Sequence, residues 1–369
     1  MTLKQKSLIF PLVILALIMC QGFALALKVP PPEKIEFLPN LTSDEKPVYP
    51  RSIFLSEDGL ITIIDEQNQS ISTFQQKGDI LIPANSHQSE FGSNSVNKFI
   101  GPAYSCYTSD GSMALADLKL KRIFYYQRST ENWSAFNYQK EFLCSRGCTA
   151  LYQVGKKLIV AGSTTLLGQN YELYAIDIDT SKLTPLLTEP QKYGIDNLTL
   201  ESRKQINAIG ITGYICGSSD GSKLVYAWEG GHIVVLTIDG KILKSFDAKE
   251  TKNYSKPVAT STLIANRLKN PYEARTERLE TMSFIRGIFA TSHYFYIIYE
   301  GPAKGKPSVA WIQKYDFYGN FLEEASVPRL PKGGNKMFWF DKENGVLYSL
   351  SVEEFNPLDF FILKYKISE

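Results

Sequence analysis

Four basic residues hold matching positions along this chain and suggest the chemistry it can attempt. Arg51, Arg146 and Lys336 stand eight or nine residues before glycines at Gly59, Gly155 and Gly345, and Arg286 stands six before Ser292. Each cation thus opens a strand that ends in a tight turn. Four such strands set side by side bring four positive charges to one mouth and favour an anionic ligand. The competing reading is scattered surface charge, since the chain carries 40 Lys and Arg. A second candidate is the polar connection from residue 247 to 280. Its stretch NPYEARTERLETM reads as a short helix opened by Asn270-Pro271. Folded over the same mouth, it offers Tyr272, Arg275 and Arg278 as ligand contacts; otherwise it is a solvated excursion.

Catalytic motifs are scarce. The chain has no G-x-S-x-G elbow, P-loop or dinucleotide fingerprint, and no Ser-His-Asp order with supporting context. Its three histidines, His87, His232 and His293, fall in a loop, near an outer hairpin and at an inner hairpin turn, which gives no zinc set. The sequence calls for no cofactor, although a divalent cation held by carboxylates from distant segments would leave no local motif. Asp65 and Asp117 each follow a strand, where a carboxylate caps the next turn; both read as structural. Cys144 and Cys148 bracket Ser-Arg-Gly and can close a small disulfide in an oxidising compartment, or remain buried thiols. Cys106 and Cys216 read as small core residues.

These residues are positioned by repeated hairpins. AYSCYTSDGSMALADLKLKRIFYY, from Ala103, returns 110 residues later as GYICGSSDGSKLVYAWEGGHIVVL, from Gly213, and weaker copies surround Gly59 and Gly345. Each copy is an apolar strand, a turn that wants positive φ, and a second apolar strand. Segments of about four strands are expected over 51–82, 99–138, 149–187, 206–246 and 284–327, and a sixth, 336–367, holds only three. This is the pattern of an all-β, six-bladed propeller in a single domain over 27–369. Lys34 to Leu38 is the strand that completes the last blade and closes the ring.

The stretch SEFG (Ser89 to Gly92), the strand–Asp-Gly–strand–Asp pattern before Arg122-Ile-Phe-Tyr, and the closing run WIQKYDFYGNFLEEASVP, WFDKENGVLYSLS and FFILKYKI resemble the exported six-bladed propellers related to NHL repeats and TolB-like domains. The resemblance spans most of the chain after residue 26. It implies the fold and no particular activity, although lactonases and amidating lyases with channel metals are among such propellers. The expected function is a non-enzymatic binding or scaffolding module for a protein partner or small anionic ligand. The alternative is a metal-dependent hydrolase or lyase of the lactonase type, and a third reading is a structural spacer in a cell-envelope complex.

Residues 1–26 read as an export signal: Lys4 and Lys6, an apolar run to Met19, and Ala24-Leu25-Ala26 before a mature start at Leu27. The apolar run is too short to span a bilayer, and none as long follows. A lipid anchor at Cys20 is the alternative, opposed by Met19 where a small residue is wanted. Loss of Lys4 and Lys6 takes the net charge from +2 to about zero, so the chain has no field to hold nucleic acid. An extracytoplasmic monomer is expected.

Overall fold

The computed structural model describes residues 27–367 except 40, 42–46, 57–58, 86–98, 109–110, 129–135, 145–147, 167–168, 189–212, 229, 257–281, 302–309, 329–336, 343 and 353–359. The expected export signal with Cys20, and His87, Arg146, Tyr272, Arg275, Arg278 and Lys336, lie outside the described residues. Among the described residues there is no helix long and apolar enough to cross a membrane.

Hairpins build the molecule as the turn glycines dictate. Strand β1 (Glu33–Phe37) precedes β2 (Pro50–Leu55), β3 (Leu60–Asp65), β4 (Ser70–Lys77) and β5 (Ile80–Asn85). The second unit comprises β6 (Pro102–Tyr107), β7 (Ser112–Asp117), β8 (Arg122–Arg128) and β9 (Phe136–Leu143). The third has β10 (Ala150–Val154), β11 (Lys157–Leu166), β12 (Gln169–Asp177) and β13 (Leu183–Thr188). The fourth has β14 (Gly213–Gly217), β15 (Lys223–Trp228), β16 (His232–Thr237) and β17 (Ile242–Asp247). The fifth has β18 (Phe284–Ala290), β19 (Tyr294–Glu300), β20 (Ala310–Asp316) and β21 (Phe321–Val327). Last come β22 (Met337–Asp341), β23 (Val346–Val352) and β24 (Phe360–Lys366).

The second to fifth units are separate four-stranded antiparallel sheets, whereas the first and last share one eight-stranded sheet ordered β2-β3-β4-β5-β1-β24-β23-β22. Strand β1 makes that join. It pairs antiparallel with β24, Ile35 opposite Ile362, and parallel with β5, Glu36 opposite Ile80. The expected fourth strand of the last unit is therefore supplied from the N-terminal side, and the open edges of β24 and β5 are both covered.

The repeat seen in sequence is a repeat of geometry. Gly111 and Gly221 sit at φ +82° and +68°, a region costly for any residue with a Cβ, and donate to Thr108 O and Ser218 O at 3.0 and 2.9 Å. Cys106 pairs with Ala114 in one copy and Cys216 with Val225 in the other. Strand β9 runs to Leu143, five residues past the expected end of its segment, because its alternating FNYQKEFL buries only one face.

Second strands such as β3, β7, β15 and β19 are buried on nearly every residue, since each unit packs both its faces on neighbours. Among the described residues six apolar clusters fill the spaces between successive units, and the last joins the final unit to the first. Ile159, Leu173, Tyr226 and Leu236 join the third unit to the fourth, for example, and Ile63, Phe74, Tyr348 and Ile362 join the first to the last. Each fully buried aliphatic side chain contributes about 1.5–3 kcal/mol relative to exposure.

Candidate functional site

The first strands of the units stand next to one another: β2 beside β6, β6 beside β10, β10 beside β14, β14 beside β18, and β22 beside β2. Side chains seal these joints. Phe54 stacks on Tyr107 at 4.6 Å, Trp339 closes edge-on against both, and Ser52 Oγ bonds to Ser105 Oγ. At the β10–β14 joint a Cβ on Gly217 would stand 2.6 Å from Tyr152 Oη. The repeat-equivalent position in the second unit is Tyr107. Loss of that side chain at residue 217 is what lets Tyr152 lie against the β14 backbone.

Lys342, in the turn after β22, reaches this place. Its Nζ donates to Tyr152 Oη at 3.3 Å and lies 5.5 Å from the centre of the Tyr152 ring. The partners are 190 residues apart and belong to the last and third units, which do not follow one another in the packing series. The contact therefore joins two units that are not neighbours in that series. Lys342 keeps solvent-exposed surface, yet desolvation pushes its amine below the ordinary lysine value against the opposing influence of the Cys216 thiol. Both hold for a side chain whose amine is partly desolvated against the Tyr152 ring while its stem stays in contact with solvent. Among the described residues Lys342 has no carboxylate partner.

Tyr152 complements it. Desolvation, then the Cys216, Cys106 and Asp220 groups, raise its phenol far above the ordinary value, so the hydroxyl stays protonated. With Lys342 donating to the Tyr152 oxygen, the phenolic hydrogen and two ammonium hydrogens remain to donate onward. Asp220, in the turn after β14, does not compete for them. Ser218 Oγ and the backbone and hydroxyl of Ser222 occupy its carboxylate and hold its pKa down to about 2.

Two of the basic residues singled out in the sequence are described, and both already have carboxylate partners. Arg51 Nε donates to Glu66 Oε2 at 2.7 Å, Lys119 takes Oε1 of the same carboxylate at 3.0 Å, and the guanidinium lies over Tyr49 at 4.3 Å. Arg286 Nε meets Glu300 Oε2 at 3.1 Å, with Glu300 only 3% exposed. The basic side chain that spacing did not single out is Lys342, which lies against Tyr152. Its position inside a turn matched no strand-start pattern.

Asp65 and Asp117 cap turns as expected. Asp65 accepts from Val48, Tyr49 and Asn68 N–H, and Asp117 from Gly101 and Leu120 N–H. Cys144 and Cys148 are adjacent buried thiols; burial first, and hydrogen bonding to Cys144 next, push the Cys148 thiol well up. Among the described residues no three His, Cys, Asp or Glu are placed to hold a metal. A surface cleft of about 150 Å³ near Lys157 and Asp239 lies on the outer strands, and those two charges pair with each other at 2.7 Å.

The fold and site together define an all-β protein of cyclically packed sheets. No protein-family model matches the chain, and no curated protein matches it. A solved structure of a protein from Lactobacillus plantarum is similar over 86% of this chain and 85% of that one, with a TM-score of 0.46 and 11% identity.

Proposed function

We propose that this chain is an exported six-bladed propeller, closed by β1, that binds a small anionic ligand in its central passage. The cyclic series of packed units supports the ring, and the N-terminal strand between β24 and β5 supports the closure. The affinity to NHL-repeat and TolB-like propellers belongs to the same reading. Export draws support from Leu27, the expected mature start. It is buried, and its nitrogen donates to the Glu323 carboxylate. Cleavage before Leu27 turns that amide into an ammonium facing a carboxylate, a charge-assisted bond.

The function rests on one observation: Lys342, without a carboxylate partner among the described residues, meets a protonated Tyr152 of a non-neighbouring unit. An ammonium and a phenol that both donate toward one point suit a carboxylate or phosphate oxygen. The partial desolvation of the site strengthens each bond. Thermal melting of the mature protein with inorganic phosphate or succinate tests this. Either anion at well above its Kd raises Tm by mass action. In Lys342→Met the rise disappears while the ligand-free melt stays within a few degrees. Absence of any shift in the wild type, or a shift retained in Lys342→Met, overturns the assignment.

A further inference from the structure

Away from the passage, on the outer two strands of the fourth unit, three side chains are wired in a chemically meaningful order. His232 opens β16, and Ser245 and Asp247 lie near the end of β17. His232 Nδ1 is 2.9 Å from Asp247 Oδ1, and His232 Nε2 is 2.9 Å from Ser245 Oγ. With Nδ1–H donating to the carboxylate, Nε2 is left as the acceptor for the serine hydroxyl. This is the hydrogen-bond order of a nucleophilic triad, recognised by geometry and not by sequence position.

Register explains how it forms. His232 is opposite Asp247 and Val234 opposite Ser245, so Ser245 and Asp247 flank the imidazole on one face. The turn alone would set a different pairing, because Leu236 stands opposite Ile242. A bulge at Leu243 shifts the register by one before Val235 meets Lys244. Without that extra residue Ser245 would face the opposite side of the sheet.

The surroundings suit a reacting group. Ala248 N donates to Gly231 O at 2.7 Å. Alternation along the ladder then makes His232–Asp247 and Val234–Ser245 the non-hydrogen-bonded pairs, whose main-chain groups point away from the partner strand. Strand β17 ends the sheet order among the described residues, so the N–H of Ser245 and of Asp247 face an edge that no described strand covers. Ser245 is exposed, the His232 side chain is 24% exposed, and the Trp228 ring backs the imidazole at 5.4 Å. Lys256 Nζ takes the second oxygen of Asp247, fixing the carboxylate.

We propose that Ser245, His232 and Asp247 form an ester-hydrolysing acyl-transfer site on the open edge of β17. Ser245 Oγ bonds to the acyl carbon as its proton passes to His232 Nε2. That proton then goes to the departing alkoxide as the carbon–oxygen bond breaks, releasing an alcohol. Water, deprotonated by the same nitrogen, adds to the acyl-serine, and the Oγ–carbon bond breaks to release the carboxylic acid and restore the hydroxyl. Asp247 is a positioning residue that holds Nδ1–H and offsets the imidazolium charge. The Ser245 N–H is the donor nearest the developing oxyanion.

A fluorophosphonate probe on the mature protein, with peptide mapping, and p-nitrophenyl acetate hydrolysis test this together. The expected result is modification at Ser245, and a roughly 10²–10⁴-fold loss of labelling and hydrolysis in Ser245→Ala and His232→Ala. Asp247→Asn is expected to slow the labelling rate constant without changing the probe concentration at half-saturation. All three variants alter partly exposed side chains, and circular dichroism verifies their fold. Modification elsewhere, no modification, or full hydrolysis by Ser245→Ala overturns the proposal.

Discussion

Asp220 and Asp247 show how single side chains in this protein are set by their immediate bonds. Hydroxyl and backbone donors at residues 218 and 222 hold Asp220 down to about 2, and His232 first, then Lys256, hold Asp247 to about 2. An aspartate ordinarily titrates near 3.9. A folded pKa below the unfolded one means stability that is present above about pH 4 and lost as pH falls toward 2. Both groups keep solvent access, so the contribution of each is modest. In pH-dependent melts, Asp220→Asn and Asp247→Asn should lie below the wild type at pH 7 and converge with it near pH 2. A gap that persists at pH 2 would mean that shape, not charge, is what the substitution removed.

Among the elements, β1 has an effect out of proportion to its five residues. It is the sole described strand between β24 and β5, and Ile35 and Phe37 enter the cluster that unites the first and last units. Deleting residues 27–38 uncovers two sheet edges and also removes the Leu27 and Val29 contacts with the fifth unit. The expected outcome is a lower Tm and concentration-dependent association through the exposed edges, seen by light scattering. A monomeric truncation with an unchanged melt would show that β1 is dispensable for closure. The polar network around Glu324 is a second case of an element held by few bonds. Tyr299, Gln313, Asn253 and Thr251 all donate to that carboxylate, which anchors the chain leaving β17 onto the fifth unit.

For the whole molecule, export, the N-terminus and the thiols are linked. If the proposed export signal is cleaved before Leu27, Cys144 and Cys148, buried neighbours in this structure, enter a compartment where a disulfide persists. On that proposal, the intact mass of the protein recovered from its own cells, taken without reductant, is expected to match a chain starting at Leu27 less two hydrogens. Recovery of both hydrogens on reduction would locate them in the thiols, and a mass that begins elsewhere or carries lipid would refute the expected processing.

The sequence by itself determined the hairpins and their turns. Gly111 and Gly221 mark positive φ, the apolar alternation marks paired strands, and a three-stranded last segment requires a strand from elsewhere, which Lys34 to Leu38 matched. These are local properties, dictated by the conformational limits of single residues and the two-residue period of a strand. Both candidate sites lay beyond such reasoning. Lys342 and Tyr152 meet only because the units pack cyclically, and nothing within either residue's neighbours encodes a contact 190 residues distant. His232, Ser245 and Asp247 are close in sequence, but one bulged residue at Leu243 decides which face Ser245 occupies. Register and closure depend on the summed packing of many side chains, so only the tertiary structure decided them.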